Sequence, residues 1–177
     1  MVAGDRGAGF LPNIPEAAVV MLAIASIGAI WSSCSPEFGV NGVIDRFGQI
    51  EPKVLFTADG YFYGGKTLDS LGLVATVVSR IASIQQVIVI PFVQSSPELS
   101  AVPSSILFER FGTSATAIDF AMLPFDQPLY ILYSSGTTGV PKCIVHGAGG
   151  TLLQHRKEHL LHTDLKRTDR LFYFTTC

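Results

Sequence analysis

The segment with the most chemically useful groups is 133–142, which reads Tyr-Ser-Ser-Gly-Thr-Thr-Gly-Val-Pro-Lys. Glycines let a backbone approach a ligand and turn its N–H groups inward, while Ser and Thr hydroxyls donate to phosphate oxygens and a lysine ammonium adds positive charge. This combination predicts a loop that binds a polyphosphate. The candidate ligand-binding residues are Ser134, Ser135, Gly136, Thr137, Thr138, Gly139 and Lys142, with Lys142 as the group that neutralises phosphate charge.

The spacing in this loop differs from that of the P-loop nucleotide-binding proteins. Their pattern places four residues between the first glycine and a Gly-Lys pair, and a Ser or Thr follows the lysine. Here only two residues separate Gly136 from Gly139, and Cys143 follows Lys142. A P-loop kinase or GTPase is therefore disfavoured. A solvated Ser/Thr/Gly turn between two strands is the structural alternative, and the flanking strands together with Lys142 favour the phosphate loop.

The surrounding sequence alternates between helical and strand patterns. Helices are expected at 15–29, where Pro15 follows a polar start and begins an apolar run, and at 35–51 and 66–81, where apolar residues recur at helical spacing. Strands are expected at 53–58, 87–93, 129–133, 142–146 and 171–175, and a further helix at 149–162. The segment 94–127 is expected to be an irregular connection or insertion. Such alternation predicts an α/β fold with a mostly parallel sheet and flanking helices.

Composition limits the classes of protein to which the chain can belong. Hydrophobic residues make up 48% of it and charged residues 15%, and its mean hydropathy is +0.41, so a larger apolar core is expected. The most apolar run, 17–31, is shorter than the roughly 20 residues that span a bilayer, which predicts a buried helix and no membrane span. With no signal-like start, we expect the cytosol.

Charge and cysteine content exclude further classes. The net charge is −2 and the cations are scattered, so small molecules or proteins are expected as partners and nucleic acid is not. Cys34, Cys143 and Cys177 form no C-x-x-C pair, so the sequence indicates neither a zinc site nor a disulfide framework. His155 and His159 fit the H-x-x-E-H zinc pattern, but a third ligand would have to come from the 18 residues that follow them, and we expect no metal site.

The segment 134–142 resembles the signature of the adenylate-forming superfamily, whose members grip the β- and γ-phosphates of ATP with this loop. A wider resemblance, over 4–93 and 128–162, is to the acetoacetyl-CoA synthetases. It is carried by Ser-Ile-Gly-Ala-Ile-Trp-Ser-Ser at 26–33, Ser-Pro-Glu-Phe-Gly-Val at 35–40 and Lys-Glu-His-Leu-Leu-His at 157–162. Acetyl-CoA synthetases resemble the chain less closely at 32–40 and 155–162.

The resemblance implies a function and a place in a larger protein. It implies attack of acetoacetate on the α-phosphate of ATP, with Mg²⁺, to give acetoacetyl-AMP, followed by acyl transfer to CoA. The chain would be part of the large N-terminal domain, without the acyl pocket that follows Cys177 and without the C-terminal domain, and would be inactive alone. Other short-chain acyl-CoA synthetases and an inactive truncated remnant are the alternatives. Lys66 and Arg46 could approach the phosphates of CoA, although each reads more simply as a surface charge, and His146 reads as structural.

Overall fold

The structure is a computed structural model that describes residues 1–134 and 139–173. Its strands are β1 (Arg6–Phe10), β2 (Ile30–Cys34), β3 (Val54–Ala58), β4 (Gly60–Tyr63), β5 (Lys66–Asp69), β6 (Gln86–Ile90), β7 (Ser105–Leu107), β8 (Pro128–Ser134) and β9 (Lys142–Gly147). Its helices are α1 (Pro15–Ser26), α2 (Val40–Ile50), α3 (Leu71–Arg80) and α4 (Ala148–Lys157), with a 3₁₀ turn at Phe108–Arg110 and a π-helical turn at Glu158–His162.

A seven-stranded sheet organises the fold. Its strand order is β7-β6-β3-β1-β2-β8-β9, and every neighbouring pair is parallel except β8 and β9. Parallel strands need crossover connections, and α1, α2 and α3 lie in those from β1 to β2, from β2 to β3 and from β3 to β6, whereas the connection from β6 to β7 contains no helix. The expected α/β class, with a mostly parallel sheet and flanking helices, is confirmed.

Each face of the sheet has its own apolar core. One face packs against α2 and α3, and its buried side chains include Phe10, Phe47, Leu55, Val74 and Val87. The other face packs against α1, with Val20, Ile24, Trp31, Phe56 and Ile88 among its buried side chains. Since successive strand residues point to opposite faces, strands covered on both sides are apolar along their buried length, as β6 is from Val87 to Ile90.

Helix α1 confirms the helix predicted at 15–29, and its end is set by Gly28. Pro15 occupies the first turn, where its missing N–H has no intrahelical partner to lose. Gly28 has φ +73°, its N–H donates to the carbonyl of Ala25, and the N–H of Ala29 donates to that of Ile24. This pair of bonds is a Schellman motif, and it stops the helix three residues earlier than expected.

Helix α2 begins later than the sequence predicts. Ser35 starts a turn that the N–H of Phe38 closes on its carbonyl at 3.1 Å, and Gly39 is extended, with φ −68° and ψ 169°. The helical spacing from Val40 onward is correct, but the start signal at 35–37 belongs to the turn. At the other end Arg6 donates to the carbonyls of Ile50 (2.6 Å) and Glu51 (3.2 Å).

The helix predicted at 66–81 is partly wrong. Residues Lys66–Asp69 form β5, which pairs with β4 as an antiparallel hairpin. Gly64 and Gly65 have φ of +56° and +74°, the conformation of a two-residue hairpin turn of type I′. The helix starts only at Leu71, because the tight glycine turn fixes the register of the preceding residues.

Several strands lie where the sequence patterns predicted none, and one predicted strand is not found among the described residues. Within 94–127 lie β7, which extends the parallel sheet beside β6, and the 3₁₀ turn. Strands β1 and β2, to which the sequence patterns assigned no structure, lie at the centre of the sheet. The strand expected at 171–175 is absent from 171–173, and its last residues lie outside the described part. In that described part, no helix has the length and apolar character needed to cross a bilayer.

Candidate phosphate-binding loop

The candidate loop joins two antiparallel strands at the carboxyl edge of the parallel strands. Strand β8 runs parallel to β2 and ends at Ser134, and β9 returns from Lys142. Ser134 and Lys142 face each other in the ladder, so the two ends of the loop are close together. Ligands of open α/β sheets bind outside the carboxyl ends of the strands, which is where Ser134 and Lys142, the described ends of this loop, lie.

The structure describes three of the seven residues predicted to bind phosphate. Ser134 is half-buried, whereas Gly139 and Lys142 are exposed. Gly139 has φ +110°, which residues with a side chain rarely adopt, while nothing lies within 4 Å of the place where a Cβ would stand. The backbone shape of the loop, and not crowding, therefore requires glycine there. Ser135, Gly136, Thr137 and Thr138 lie outside the described residues.

Lys142 is a cation without a carboxylate partner among residues 1–134 and 139–173. The salt bridges found there are Lys53–Asp5, Lys157–Glu158 and Lys166–Asp164. An exposed ammonium at the start of β9 that is not paired with protein carboxylates remains available to a bound anion. This arrangement fits the role that the sequence predicts for Lys142.

The strand that leads into the loop is fixed by a buried hydroxyl pair. The Ser32 hydroxyl lies 2.8 Å from the carbonyl oxygen of Ile131 and 2.9 Å from the Tyr133 hydroxyl. A serine hydroxyl has one hydrogen to donate. Because Ser32 donates it to the carbonyl oxygen of Ile131, the hydroxyl of Tyr133 donates to the oxygen of Ser32. Burial raises the pKa of the Tyr133 phenol above its usual range, and the hydrogen bond with Ser32 lowers this pKa by a smaller amount. The phenol therefore stays neutral.

Helix α2 also contacts both sides of the loop. The Arg46 guanidinium lies 4.1 Å above the Phe38 ring and 5.8 Å from the Tyr133 ring centroid, distances typical of cation–π contacts. Gln49 donates to the carbonyl of Pro141 at 2.9 Å. Arg46 therefore packs beside the loop. Its interpretation as an ordinary surface charge did not predict this position. Ser32 and Gln49 were missed, since nothing local in the sequence links them to residues about a hundred positions away.

The histidines contribute no metal site in the described part of the chain. His155 and His159 stack with ring centroids 6.4 Å apart, and no group of three or more His, Cys, Asp or Glu side chains is arranged there to hold an ion. His146 stacks on Tyr130 at 5.0 Å across the β8–β9 ladder. The two rings are tilted by 39°, and the structural role of His146 stays a prediction with which this contact is compatible.

Comparison with known proteins assigns the chain to a family. A family model described as "AMP-binding enzyme" matches residues 1–177. The chain is 53% identical over 178 residues to an acetoacetyl-coenzyme A synthetase of Rhizobium meliloti (strain 1021), covering 99% of this chain and 27% of that protein. It is 49% identical over 180 residues to an acetoacetyl-CoA synthetase of Gallus gallus, covering 98% of this chain and 27% of that protein.

A solved structure agrees with these relatives. The acetoacetyl-CoA synthetase from Streptomyces lividans superposes with a TM-score of 0.93 at 44% identity, over 99% of this chain and 27% of that one. The chain thus spans about a quarter of the length of the proteins it resembles, and the resemblance that the sequence predicts is confirmed. Because the family model matches from the first residue to the last, the chain belongs to the AMP-binding enzyme family.

Proposed function

We propose that this chain supplies the ATP phosphate-binding part of an acid–CoA ligase that activates acetoacetate. In the proposed reaction a carboxylate oxygen of acetoacetate attacks the α-phosphorus of ATP, the bond to the bridging oxygen breaks, and pyrophosphate leaves. The product, acetoacetyl-AMP, then passes its acyl group to the thiol of CoA with release of AMP. The observation that carries the proposal is the glycine- and hydroxyl-rich loop at the carboxyl edge of the sheet, ending in the exposed Lys142.

The chemistry requires positioning and charge neutralisation more than covalent catalysis. A carboxylate is a weak nucleophile, so the rate depends on in-line placement and on stabilising the negative charge that builds on the departing pyrophosphate. Lys142 would supply a compact positive charge to the terminal phosphates. Ser134, Ser135, Thr137 and Thr138 would donate hydroxyl hydrogen bonds, and Gly136 and Gly139 would let backbone N–H groups approach.

Magnesium would enter with the nucleotide. The described residues offer no cluster of carboxylates or imidazoles for a metal, whereas the triphosphate itself is an oxygen-rich ligand for Mg²⁺. The protein residues then need only to hold the phosphates, and Mg²⁺ would add positive charge at the same oxygens.

The choice of acetoacetate rests on the relatives. The Rhizobium meliloti and Gallus gallus proteins carry that substrate in their names. The matched segment, at 53% and 49% identity, includes the candidate loop. The cytosolic location expected from the sequence stays a prediction, as does the assignment of 1–177 to part of an N-terminal domain.

A binding experiment tests the loop directly. Titration calorimetry of the 177-residue chain with Mg·ATP should show binding that Lys142→Ala weakens by about 10- to 100-fold, since a hydrogen bond to a charged group contributes about 1.5–3 kcal/mol. Lys157→Ala removes the same charge from α4 and should leave the affinity unchanged. Equal affinities for the Lys142 variant and the unmodified chain would contradict the role given to Lys142.

A chimera tests the reaction. Residues 1–177 would replace the matched segment of the Rhizobium meliloti relative, and acetoacetate-dependent exchange of labelled pyrophosphate into ATP would be measured. We expect exchange that Lys142→Ala reduces by at least about tenfold. A folded chimera without exchange would overturn the proposal. If the chimera prefers acetate or propionate over acetoacetate relative to the Rhizobium protein, the alternative of another short-chain acyl-CoA synthetase is favoured.

A further inference from the structure

We propose that Gln49 of α2 is a positioning residue for the phosphate loop and orients Lys142 by holding the carbonyl of Pro141. The proposal rests on the proposed function, because it assigns a supporting element to the same loop. Its structural basis is a hydrogen bond between residues 92 positions apart, from the Gln49 amide nitrogen to the Pro141 oxygen at 2.9 Å.

The bond acts on Lys142 through the geometry of the peptide unit. The carbonyl of Pro141 lies in one rigid plane with the N–H and Cα of Lys142. A donor that fixes the carbonyl therefore fixes the orientation of that plane. The Pro141 ring restricts φ on the preceding side, and Lys142 pairs with Ser134 in the ladder. The direction in which the Lys142 side chain leaves the backbone is thus set from both sides.

The Gln49 amide is itself held in place. A carboxamide nitrogen has two hydrogens, and this one donates to the Asp45 carbonyl at 2.5 Å as well as to Pro141. Both donors are therefore used, and the bond to Asp45, one helical turn earlier, ties the side chain to its own helix. Although Gln49 is exposed, these two bonds direct its amide toward the loop.

Helix α2 is a rigid base for that donor. Val43 and Phe47 are at most 1% exposed in the apolar core, and Arg6 binds the carbonyls at the C-terminal end of the helix. The same helix carries Arg46, which contacts the Tyr133 ring on the strand leading into the loop. One helix therefore contacts the chain on both sides of the loop, directly before Ser134 and directly before Lys142.

The test uses the 177-residue chain with Mg²⁺ and inorganic tripolyphosphate as the probe. Gln49→Met keeps the side-chain length but removes the donor, and we expect it to weaken tripolyphosphate binding about three- to tenfold. Gln127→Met is the matched control. Gln127 donates to the Gly28 carbonyl at 3.2 Å just before β8 begins, so this variant also loses a bond from a glutamine amide to a backbone carbonyl, at the opposite end of that strand. Its affinity should be unchanged, and both variants should shift the melting temperature similarly.

Hydrogen exchange gives a second readout that needs no ligand. The backbone amides of 139, 140 and 142–147 should exchange faster in Gln49→Met than in the unmodified chain or in Gln127→Met. Gln49→Lys retains an N–H donor and should restore protection. It is assessed by exchange alone, because its charge would itself attract phosphate.

The outcomes separate the two proposals. If the unmodified chain binds tripolyphosphate and Lys142→Ala weakens binding while Gln49→Met does not, the positioning role is overturned and the phosphate loop stands. Unchanged exchange at 139–147 in Gln49→Met also overturns the positioning role. If the unmodified chain does not bind tripolyphosphate, the phosphate loop fails and the role of Gln49 fails with it.

Discussion

The hydroxyl of Tyr133 lies 2.9 Å from that of Ser32, joining β8 to β2 one residue before the candidate phosphate-binding loop begins. Ser32 is fully buried and Tyr133 is half-buried, so water competes little for this contact. A hydrogen bond in such surroundings holds the strand that leads into the loop against the centre of the sheet.

Replacement of Tyr133 by Phe should lower the free energy of unfolding by about 0.5–1.5 kcal/mol, the usual net contribution of one hydrogen bond. The cost stays at this level because Ser32 keeps the Ile131 carbonyl as its acceptor. Urea unfolding at neutral pH measures it. Tyr63→Phe, at a side chain that is 63% exposed, is the control and should change stability little. A Tyr133 variant as stable as the unmodified chain would show that the hydroxyl pair contributes nothing.

This relationship illustrates how far local sequence patterns reach. The strands that flank the loop follow from local patterns between Leu129 and His146, and the proposal that the loop binds phosphate rests on the same local residues. The partners Ser32 and Gln49 do not, since they meet the loop only because β2 lies beside β8 and α2 covers that face. Strand order is set by packing of the whole sheet, so the hydrophobic periodicity of single segments does not predict which strands are neighbours.

The hairpin formed by β4 and β5 illustrates a different limit. Leu68 lies at helical spacing with the residues of α3, so periodicity extended the helix backwards to Lys66. The Gly64-Gly65 pair instead favours a hairpin turn, and the turn forms because both residues adopt positive φ without steric cost. Turn chemistry therefore decides where the helix can begin, and periodicity is a reliable guide only from Leu71 onward.

Cys34 should make the stability fall at high pH. Burial raises the pKa of its thiol from 9.0 to about 12, and the charge of Arg46 offsets this only in part. Well below a pH of 9.0 the thiol is protonated in both the folded and the unfolded state. Between 9.0 and about 12 the unfolded chain releases the proton and the folded chain keeps it, so the free energy of unfolding falls with rising pH, by up to about 1.4 kcal/mol per unit.

Urea unfolding of the unmodified chain and of Cys34→Ala, measured from about pH 8 to about pH 11, tests this dependence. Other groups titrate in the same range, so the difference in slope between the two proteins is the informative quantity, and Cys34→Ala should show the shallower fall. Cys143→Ala is the matched control, because its exposed thiol has a pKa that burial raises less and should alter the slope less. Parallel curves for Cys34→Ala and the unmodified chain would rule the buried thiol out as the cause.

Asp59 should be among the most sensitive polar positions in the fold. Its fully buried carboxylate accepts the backbone N–H groups of Phe92 (2.7 Å), Val93 (3.0 Å) and Gln94 (2.8 Å), which fix the chain after β6. Asp59→Asn replaces one acceptor oxygen by an NH₂ that faces another donor. We expect a loss of about 3 kcal/mol in the free energy of unfolding.

The control for Asp59 is Asp69→Asn. Asp69 is exposed and accepts one N–H, that of Gly72 at 3.1 Å, so its substitution should cost no more than about 0.5–1 kcal/mol. Both variants can be compared by thermal and urea unfolding. Equal losses at the two positions would mean that the buried carboxylate is not what holds the segment after β6.

Two glycines should respond in opposite ways to the same substitution. An ideal Cβ on Gly9 would lie 2.3 Å from an atom of the Trp31 indole, which is 5% exposed and packed under α1. Overpacking of this kind costs about 1–3 kcal/mol, so Gly9→Ala should destabilise the chain by that amount. Gly48 lies within α2, and a Cβ there would meet only an ordinary contact with Ile44 at 3.9 Å. Because alanine is the better helix former, Gly48→Ala should stabilise the chain by about 0.5–1 kcal/mol. Unfolding in urea measures both, and a stabilising Gly9→Ala would mean that Trp31 moves aside without cost.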